Sequence, residues 1–213
     1  AMITGVVPSV NAFAYGAYDV SQSTFKTDTD NSADFQNWVS NVWQGGEGAF
    51  SGTDQVALTP GSDANDLNFG WYSESKGIPA VMIWKVGAKG AAEVFTGTAS
   101  DISAANWQGK TYTASNKVHI ENYFAENTKY CYQYTNDYKE DGTSVWSEQY
   151  TYTTQSTDQF SVILTGDPQV GASGSSSDRQ ANDASIARDA YNWNKTMQQA
   201  IKTCPDAAFL LSA

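Results

Sequence analysis

The feature that most constrains the fold of this chain is a series of short strand patterns between residues 54 and 154. Turn signals such as Pro60-Gly61, Lys76-Gly77 and Asp141-Gly142 separate the predicted strands. Strands this short predict a two-sheet β-sandwich, because each one buries one face and then turns back across the core. The seven predicted strands are Gln55–Thr59, Leu67–Ser73, Ala80–Lys85, Glu93–Thr98, Lys117–Tyr123, Lys129–Asn136 and Ser147–Thr154.

A tyrosine-rich strand refines this prediction. Tyr130, Tyr132 and Tyr134 alternate with Cys131 and Gln133, so the three rings are expected on one face of the strand. Tyr130 also has the position of a tyrosine corner, in which a phenol holds the turn that precedes its own strand. Both features are typical of sandwiches of the immunoglobulin or fibronectin type III kind.

A different pattern begins after the polar linker 155–158. The apolar run from Phe160 stops at Gly166-Asp167-Pro168, which predicts a buried strand with Asp167 and Gln169 at its carboxyl end. Ligands of open α/β sheets bind beyond such strand ends. A helix is expected from a cap at Asp178 to about Thr203, followed by a second buried strand over 207–213. The predicted helix core is Ile186, Ala190, Trp193, Met197, Ala200 and Ile201. The order strand, helix, strand predicts a right-handed βαβ unit.

Charge and hydropathy exclude two classes of partner. The net charge of −11 argues against nucleic acid, since phosphate backbones select for clustered Lys and Arg. No run of 18 apolar residues is present, so no transmembrane segment is expected. Cys131 and Cys204 are too few for a disulfide framework and are expected as free, buried thiols.

The amino-terminal residues indicate secretion. Residues 1–14 are mildly apolar and end in Ala12-Phe13-Ala14, which is similar to the end of a signal peptide with its cleavage site. The alternative is an ordinary N-terminal strand or arm. Residues 15–53 are predicted as an irregular segment that contains a short amphipathic turn or helix over 34–43.

Residues 54–213 resemble the front part of a secreted calcineurin-like metallophosphoesterase of the purple acid phosphatase type. Gly166-Asp167-Pro168-Gln169 stands in the place of that family's first metal motif, Asp-x-His. The N-terminal part of the resemblance is carried by Val56–Gly61, Leu67–Tyr72, Val118–Ile120, Tyr130–Tyr134 and Val145–Thr154.

The resemblance implies a fibronectin-like domain over 54–155 and a truncated start of a dinuclear-metal domain over 156–213. It implies that Asp167 ligates one of two ions (Fe, Mn or Zn) and that Gln169 replaces the usual histidine with a weaker, neutral ligand. The intact parent is then expected to hydrolyse a small phosphomonoester or diester. The family's other motifs are absent from this chain, whose single histidine, His119, lies in the predicted sandwich. The chain alone is therefore expected to be an inactive fragment that binds no metal.

The alternative prediction is a non-catalytic module that binds carbohydrate or a surface. The chain has 7 Trp, 12 Tyr and 9 Phe, and exposed rings of this kind stack on sugars. Core packing accounts for aromatic residues equally well, so their number does not decide between the two functions.

Overall fold

The computed structural model describes residues 32–43, 56–107, 110–172 and 183–213. The described part is mainly β, with two antiparallel sheets, as predicted. The chain divides into two compact units, one of residues 44–160 and the other of residues 1–43 together with 161–213. None of the described helices has the length and apolar character that crossing a bilayer requires.

Residues 44–160, which we call the sandwich unit, contain two four-stranded antiparallel sheets within their described part. Sheet one has the order β1-β2-β6-β5 and sheet two has the order β4-β3-β7-β8. The strands are β1 Ala57–Pro60, β2 Leu67–Ser73, β3 Ala80–Lys85, β4 Glu93–Thr96, β5 Thr98–Trp107, β6 Lys110–Ile120, β7 Lys129–Thr135 and β8 Tyr150–Thr153.

The core lies between these two sheets. Along β2 the burial alternates, so Phe69 and Trp71 face the core while Asn68 and Tyr72 face outwards. The two sheets contribute the buried residues Leu67, Phe69, Trp71, Val118 and Ile120 from sheet one and Val81, Ile83, Tyr130 and Tyr132 from sheet two. Aromatic pairs such as Phe69 and Tyr132, with ring centroids 5.4 Å apart, connect them.

The prediction of a single strand over Glu93–Thr98 was wrong. The chain leaves sheet two after Thr96 and enters sheet one at Thr98, and Gly97 lies between. A Cβ at Gly97 would lie 1.9 Å from the carbonyl oxygen of Lys117, so the change of sheet requires glycine. The sequence analysis missed β5 because its Ala, Ser and Asn residues lack the apolar alternation of a half-buried strand.

The tyrosine corner is confirmed. The phenolic oxygen of Tyr130 accepts the backbone N–H of Ala125 at 2.8 Å. Thr154 holds the same turn from the other side, because its hydroxyl accepts the N–H of Thr128 at 2.9 Å and donates to the carbonyl of Ala125 at 2.6 Å. Tyr130 and Tyr132 are buried and Tyr134 packs against the core, as the alternation predicted.

The other unit contains two helices and a parallel strand pair. Helix α1 spans Ala33–Trp38 and continues as a π-helical turn to Trp43, while α2 spans Asp183–Thr203. The side chain of Ser32 caps α1 by accepting the N–H of Phe35 at 3.0 Å. Strands β9 (Ser161–Thr165) and β10 (Ala207–Ser212) pair in parallel, with α2 between them in the sequence.

The predicted burial of this unit was wrong in two respects. Val162 and Leu164 of β9 are 40% and 69% exposed, and Leu210 and Leu211 of β10 are exposed as well. A two-stranded sheet offers too little surface to bury its own apolar side chains. On α2, the predicted stripe is half-buried or exposed, and the buried side chains are Ser185, Ala187 and Tyr191.

Tyr191 of α2 packs on α1. Its ring lies 5.3 Å from Phe35 and 5.5 Å from Trp38, measured between centroids. The sequence analysis placed Phe35 in a separate irregular segment, because no pattern in the sequence pairs these distant helices. The expected signal peptide and the helix cap at Asp178 lie outside the described residues.

Candidate functional site

The structure places Asp167 and Gln169 in an exposed turn just beyond the carboxyl end of β9. One oxygen of the Asp167 carboxylate, Oδ1, accepts the backbone N–H of Gln169 at 3.1 Å. This contact is an Asx-turn, which an aspartate forms with the backbone two residues ahead. The other oxygen of Asp167 and the amide of Gln169 make no contact with described residues.

Hydrogen bonds hold the rest of this turn on α2. Gln169 has a φ of 42° and Gly171 a φ of 97°, both in the left-handed region. The reversal brings the N–H of Gly171 within 2.8 Å of Asp189 Oδ2 and its carbonyl within 3.3 Å of the Ser185 hydroxyl. The chain that follows Asp167 is therefore anchored on α2 at Gly171 by buried or partly buried contacts.

The end of β10 lies beside this turn. The N–H of Ala213 donates to the carbonyl of Thr165 at 3.0 Å, and the Ser212 hydroxyl contacts the carbonyl of Gly166 at 3.5 Å. Since the two strands are parallel, their carboxyl ends meet at one edge, and Asp167 stands at that edge. This is where an α/β domain assembles a ligand site.

The described residues do not complete a metal centre at that edge. No group of three or more His, Cys, Asp or Glu side chains occurs among them. Asp189 lies near but accepts the Gly171 N–H instead. The structure thus brings Asp167 and Gln169 together in one turn and supplies one exposed carboxylate. The metal-binding role of both residues remains a prediction.

A second candidate site is a cleft of about 530 Å³ on sheet one. Its volume falls in the range of small-molecule sites, which is about 300–1,000 Å³. It is lined by Ala57, Thr59, Asn68, Phe69, Gly70, Thr96, Gly97, Thr98, Lys117, Val118 and His119. We call it the sheet-one cleft.

The outward residues of three paired strands and a neighbouring strand end form the sheet-one cleft. Gly70 of β2 pairs with Ala57 of β1 on one side and with Lys117 of β6 on the other. A Cβ at Gly70 would meet nothing closer than 3.9 Å, so the missing side chain leaves a depression in the face of the sheet. Gly70 is the floor of the cleft.

His119 lies at the rim, with both ring nitrogens near acceptors. Nδ1 is 2.5 Å from Asn68 Oδ1, and Nε2 is 3.1 Å from Glu121 Oε1. Asn68 Nδ2 donates to the carbonyl of Pro60 at 2.9 Å, which orients the amide so that its oxygen faces the ring. The histidine is half-exposed, and the carboxylate that it contacts within the described part of the chain is that of Glu121.

The sequence analysis missed the sheet-one cleft. Two strands show an alternation of outward-facing residues in the sequence, Asn68, Gly70 and Tyr72 in β2 and Thr113, Ser115, Lys117 and His119 in β6. The alternation does not show which strands are neighbours in the sheet. Comparison of the sequence with models of known families found no match. Comparison with curated proteins found none either.

Proposed function

We propose that this chain is the amino-terminal part of a secreted, metal-dependent phosphoesterase similar to the purple acid phosphatases. The observation that carries the proposal is the exposed Asp167 at the shared carboxyl edge of the parallel pair β9 and β10. The preceding sandwich supports it, because sheets of order β1-β2-β6-β5 and β4-β3-β7-β8 with a tyrosine corner suit a fibronectin-like domain.

The residues of this chain fit the dinuclear group in part. Asp167 would hold one ion through the carboxylate oxygen that the Asx-turn leaves available, and Gln169 would contribute at most a neutral amide oxygen. When bound, two ions of the Fe, Mn or Zn type supply charge stabilisation to a phosphoryl group and acidity to a water. The remaining ligands would come from residues outside the described ranges.

The proposal is tested on the intact parent with p-nitrophenyl phosphate and bis(p-nitrophenyl) phosphate in the presence of Mn, Fe or Zn. Turnover is expected, and Asp167→Asn should reduce both turnover and the metal content of the purified protein. Asp158→Asn, a charge-matched change at an exposed position of the sandwich unit, should change neither. An intact parent that retains no metal and hydrolyses neither substrate refutes the proposal.

A second candidate function is carbohydrate binding by the sandwich unit. The sheet-one cleft favours it, because a depression lined by hydroxyl, amide and apolar groups suits a sugar. The test is affinity electrophoresis of the 213-residue chain through gels that contain neutral or acidic polysaccharides. Retardation by at least one polysaccharide is expected, and unchanged mobility with all of them contradicts carbohydrate binding.

A further inference from the structure

The sheet-one cleft differs from the rest of the sandwich surface in the arrangement of its polar groups. Its residues come in two rows that cross the strands. The registers β1-β2-β6 and β6-β5 place Ala57, Gly70, Lys117 and Thr98 in one row and Thr59, Asn68 and His119 in the next. Neighbouring strands lie about 4.8 Å apart, so each row spans three or four side chains within about 15 Å. This is the scale of a small ligand.

Two residues of the second row, Asn68 and His119, are already engaged in protein contacts. Asn68 uses its NH₂ group on Pro60 and its oxygen on His119, and His119 uses its other nitrogen on Glu121. These contacts hold the side chains of Asn68 and His119 in place at the rim of the cleft. The polar groups of both side chains therefore already lie beside polar atoms of the protein.

Four other lining residues are not engaged in this way: Lys117 and Thr98 of the first row, Thr59 of the second row, and Thr96 beside them. The Lys117 ammonium and the hydroxyls of Thr59, Thr96 and Thr98 contact no polar partner among the described residues. A ligand that enters the cleft therefore meets one cation and three hydroxyls that are free to bind it. Between them lie Gly70 and Ala57, which expose backbone and methyl groups and no polar side chain.

Charge selects the class of ligand. The cleft lining contains Lys117 and no carboxylate, and the nearby Glu121 carboxylate lies 3.1 Å from His119 Nε2. A cation without a partner favours an anionic group, and a charge-assisted hydrogen bond is about twice as strong as a neutral one. The net charge of −11 repels a polyanion at long range. The ligand should therefore carry a single negative charge.

We propose that the sheet-one cleft binds a saccharide unit that carries one carboxylate, with the Lys117 ammonium holding that carboxylate. The threonine hydroxyls bind the ring hydroxyls, and the apolar face of the sugar ring lies on Gly70 and Ala57. The inference rests on the carbohydrate-binding function proposed above and specifies its ligand.

The test is a titration of the ¹⁵N-labelled 213-residue chain with glucuronate, glucuronamide, glucose and acetate, followed by NMR. Glucuronamide keeps the shape of glucuronate and removes its charge, while acetate keeps the charge and removes the ring. Glucuronate is expected to shift the amides of Gly70, Thr98 and Lys117, with a dissociation constant about tenfold or more below those of the other three probes.

Two variants locate the contact. Lys117→Gln should weaken glucuronate binding about tenfold, whereas Lys85→Gln, which removes an equally exposed charge from sheet two, should leave it unchanged. Gly70→Val places a side chain on the floor of the cleft, where a Cβ would meet nothing closer than 3.9 Å, and should abolish binding. The circular dichroism of all three variants is expected to match that of the unaltered chain.

The possible outcomes distinguish the proposed ligand and its cleft from the more general proposal of carbohydrate binding. Equal affinity for glucuronate and glucose, or for glucuronate and acetate, overturns the carboxylated saccharide as ligand. Undiminished binding by Lys117→Gln or Gly70→Val overturns the assignment to this cleft. If glucuronate fails but neutral polysaccharides retard the chain on a gel, the ligand class is wrong and carbohydrate binding stands. If neither binds, both are wrong.

Discussion

The tyrosine corner gives the sharpest test of how the sandwich unit is stabilised. Tyr130 is fully buried, and its phenol is the acceptor for the Ala125 N–H at 2.8 Å. Replacing Tyr130 by Phe keeps the ring and its edge-to-face contact with Phe124, whose centroid lies 5.1 Å away. The substitution removes only the oxygen, so the Ala125 N–H is left without its partner in the folded state.

The expected cost follows from that orphaned donor. A backbone N–H that loses its partner away from water costs about 1–3 kcal/mol. Ala125 is exposed and its hydrogen bond to Tyr130 is only partly buried, so we expect the lower end of this range, about 1 kcal/mol. Thr154→Val removes the hydroxyl that holds Thr128 N–H and Ala125 C=O, and should cost about 2 kcal/mol. Both changes release one turn, so the double variant should cost less than the sum, by about 0.5–1 kcal/mol.

Two measurements check this reasoning. Urea denaturation gives the free energy of unfolding for each variant, and NMR hydrogen exchange reports the Ala125 and Thr128 amides directly. Tyr130→Phe should speed exchange at Ala125, and Thr154→Val should speed exchange at Thr128. Tyr72→Phe is the control, since Tyr72 is 49% exposed and faces outwards. If Tyr130→Phe leaves both stability and Ala125 exchange within error of Tyr72→Phe, the phenol does not hold the turn.

Three further predictions concern other parts of the chain. Burial, with a smaller contribution from Tyr134, raises the pKa of Tyr132 to about 12. An unfolded phenol titrates near pH 10, so the contribution of Tyr132 to stability should be complete below about pH 10 and fall by up to about 3 kcal/mol as the pH rises past 12. Tyr132→Phe should flatten that fall in alkaline urea denaturation, and an unchanged pH profile would contradict the assignment. The buried Asp66 carboxylate accepts the N–H groups of Asp63 and Asn122 at 3.1 and 2.9 Å. Asp66→Ala should therefore lower the free energy of unfolding, measured in urea, by about 2–3 kcal/mol. A loss no larger than that caused by Asp63→Ala at an exposed position would contradict this account. Phe35→Ala removes an aromatic contact with Tyr191 and should speed hydrogen exchange in α2, whereas unchanged protection would mean that α1 does not support it.

Much of the sandwich was predictable, because strands with one buried face show their period in the sequence. The bounds of β2 and β3 match the predicted strands residue for residue, and the role of Tyr130 followed from its spacing to Phe124 and Thr128. The long strand β5 was not predictable in this way. It is an edge strand of small and polar residues, which show no strand pattern in the sequence. Its strand conformation depends on its pairing with β6.

The two candidate sites also differ in whether a local sequence pattern predicts them. Asp167 was identifiable because a local signal, an apolar strand followed by a turn, places a carboxylate at a strand end. The sheet-one cleft was not, because Gly70, Lys117 and Thr98 lie on three different strands and 47 residues separate Gly70 from its β6 neighbour. No local sequence pattern shows that these three strands are neighbours.

The sequence by itself determined the mainly β character, the alternation of buried and exposed residues along the core strands, and the tyrosine corner. It also determined the order strand, helix, strand that places Asp167 at a strand end. These depend on interactions between residues close along the chain, where propensity and alternation act. The tertiary structure alone decided which strands are neighbours, where Gly97 carries the chain from one sheet to the other, and that Phe35 packs on Tyr191. It also decided that Gly70 opens a cleft beside Lys117, whose ammonium has no polar partner among the described residues. Such features arise from contacts between distant residues, which form only when the two sheets close on a shared core.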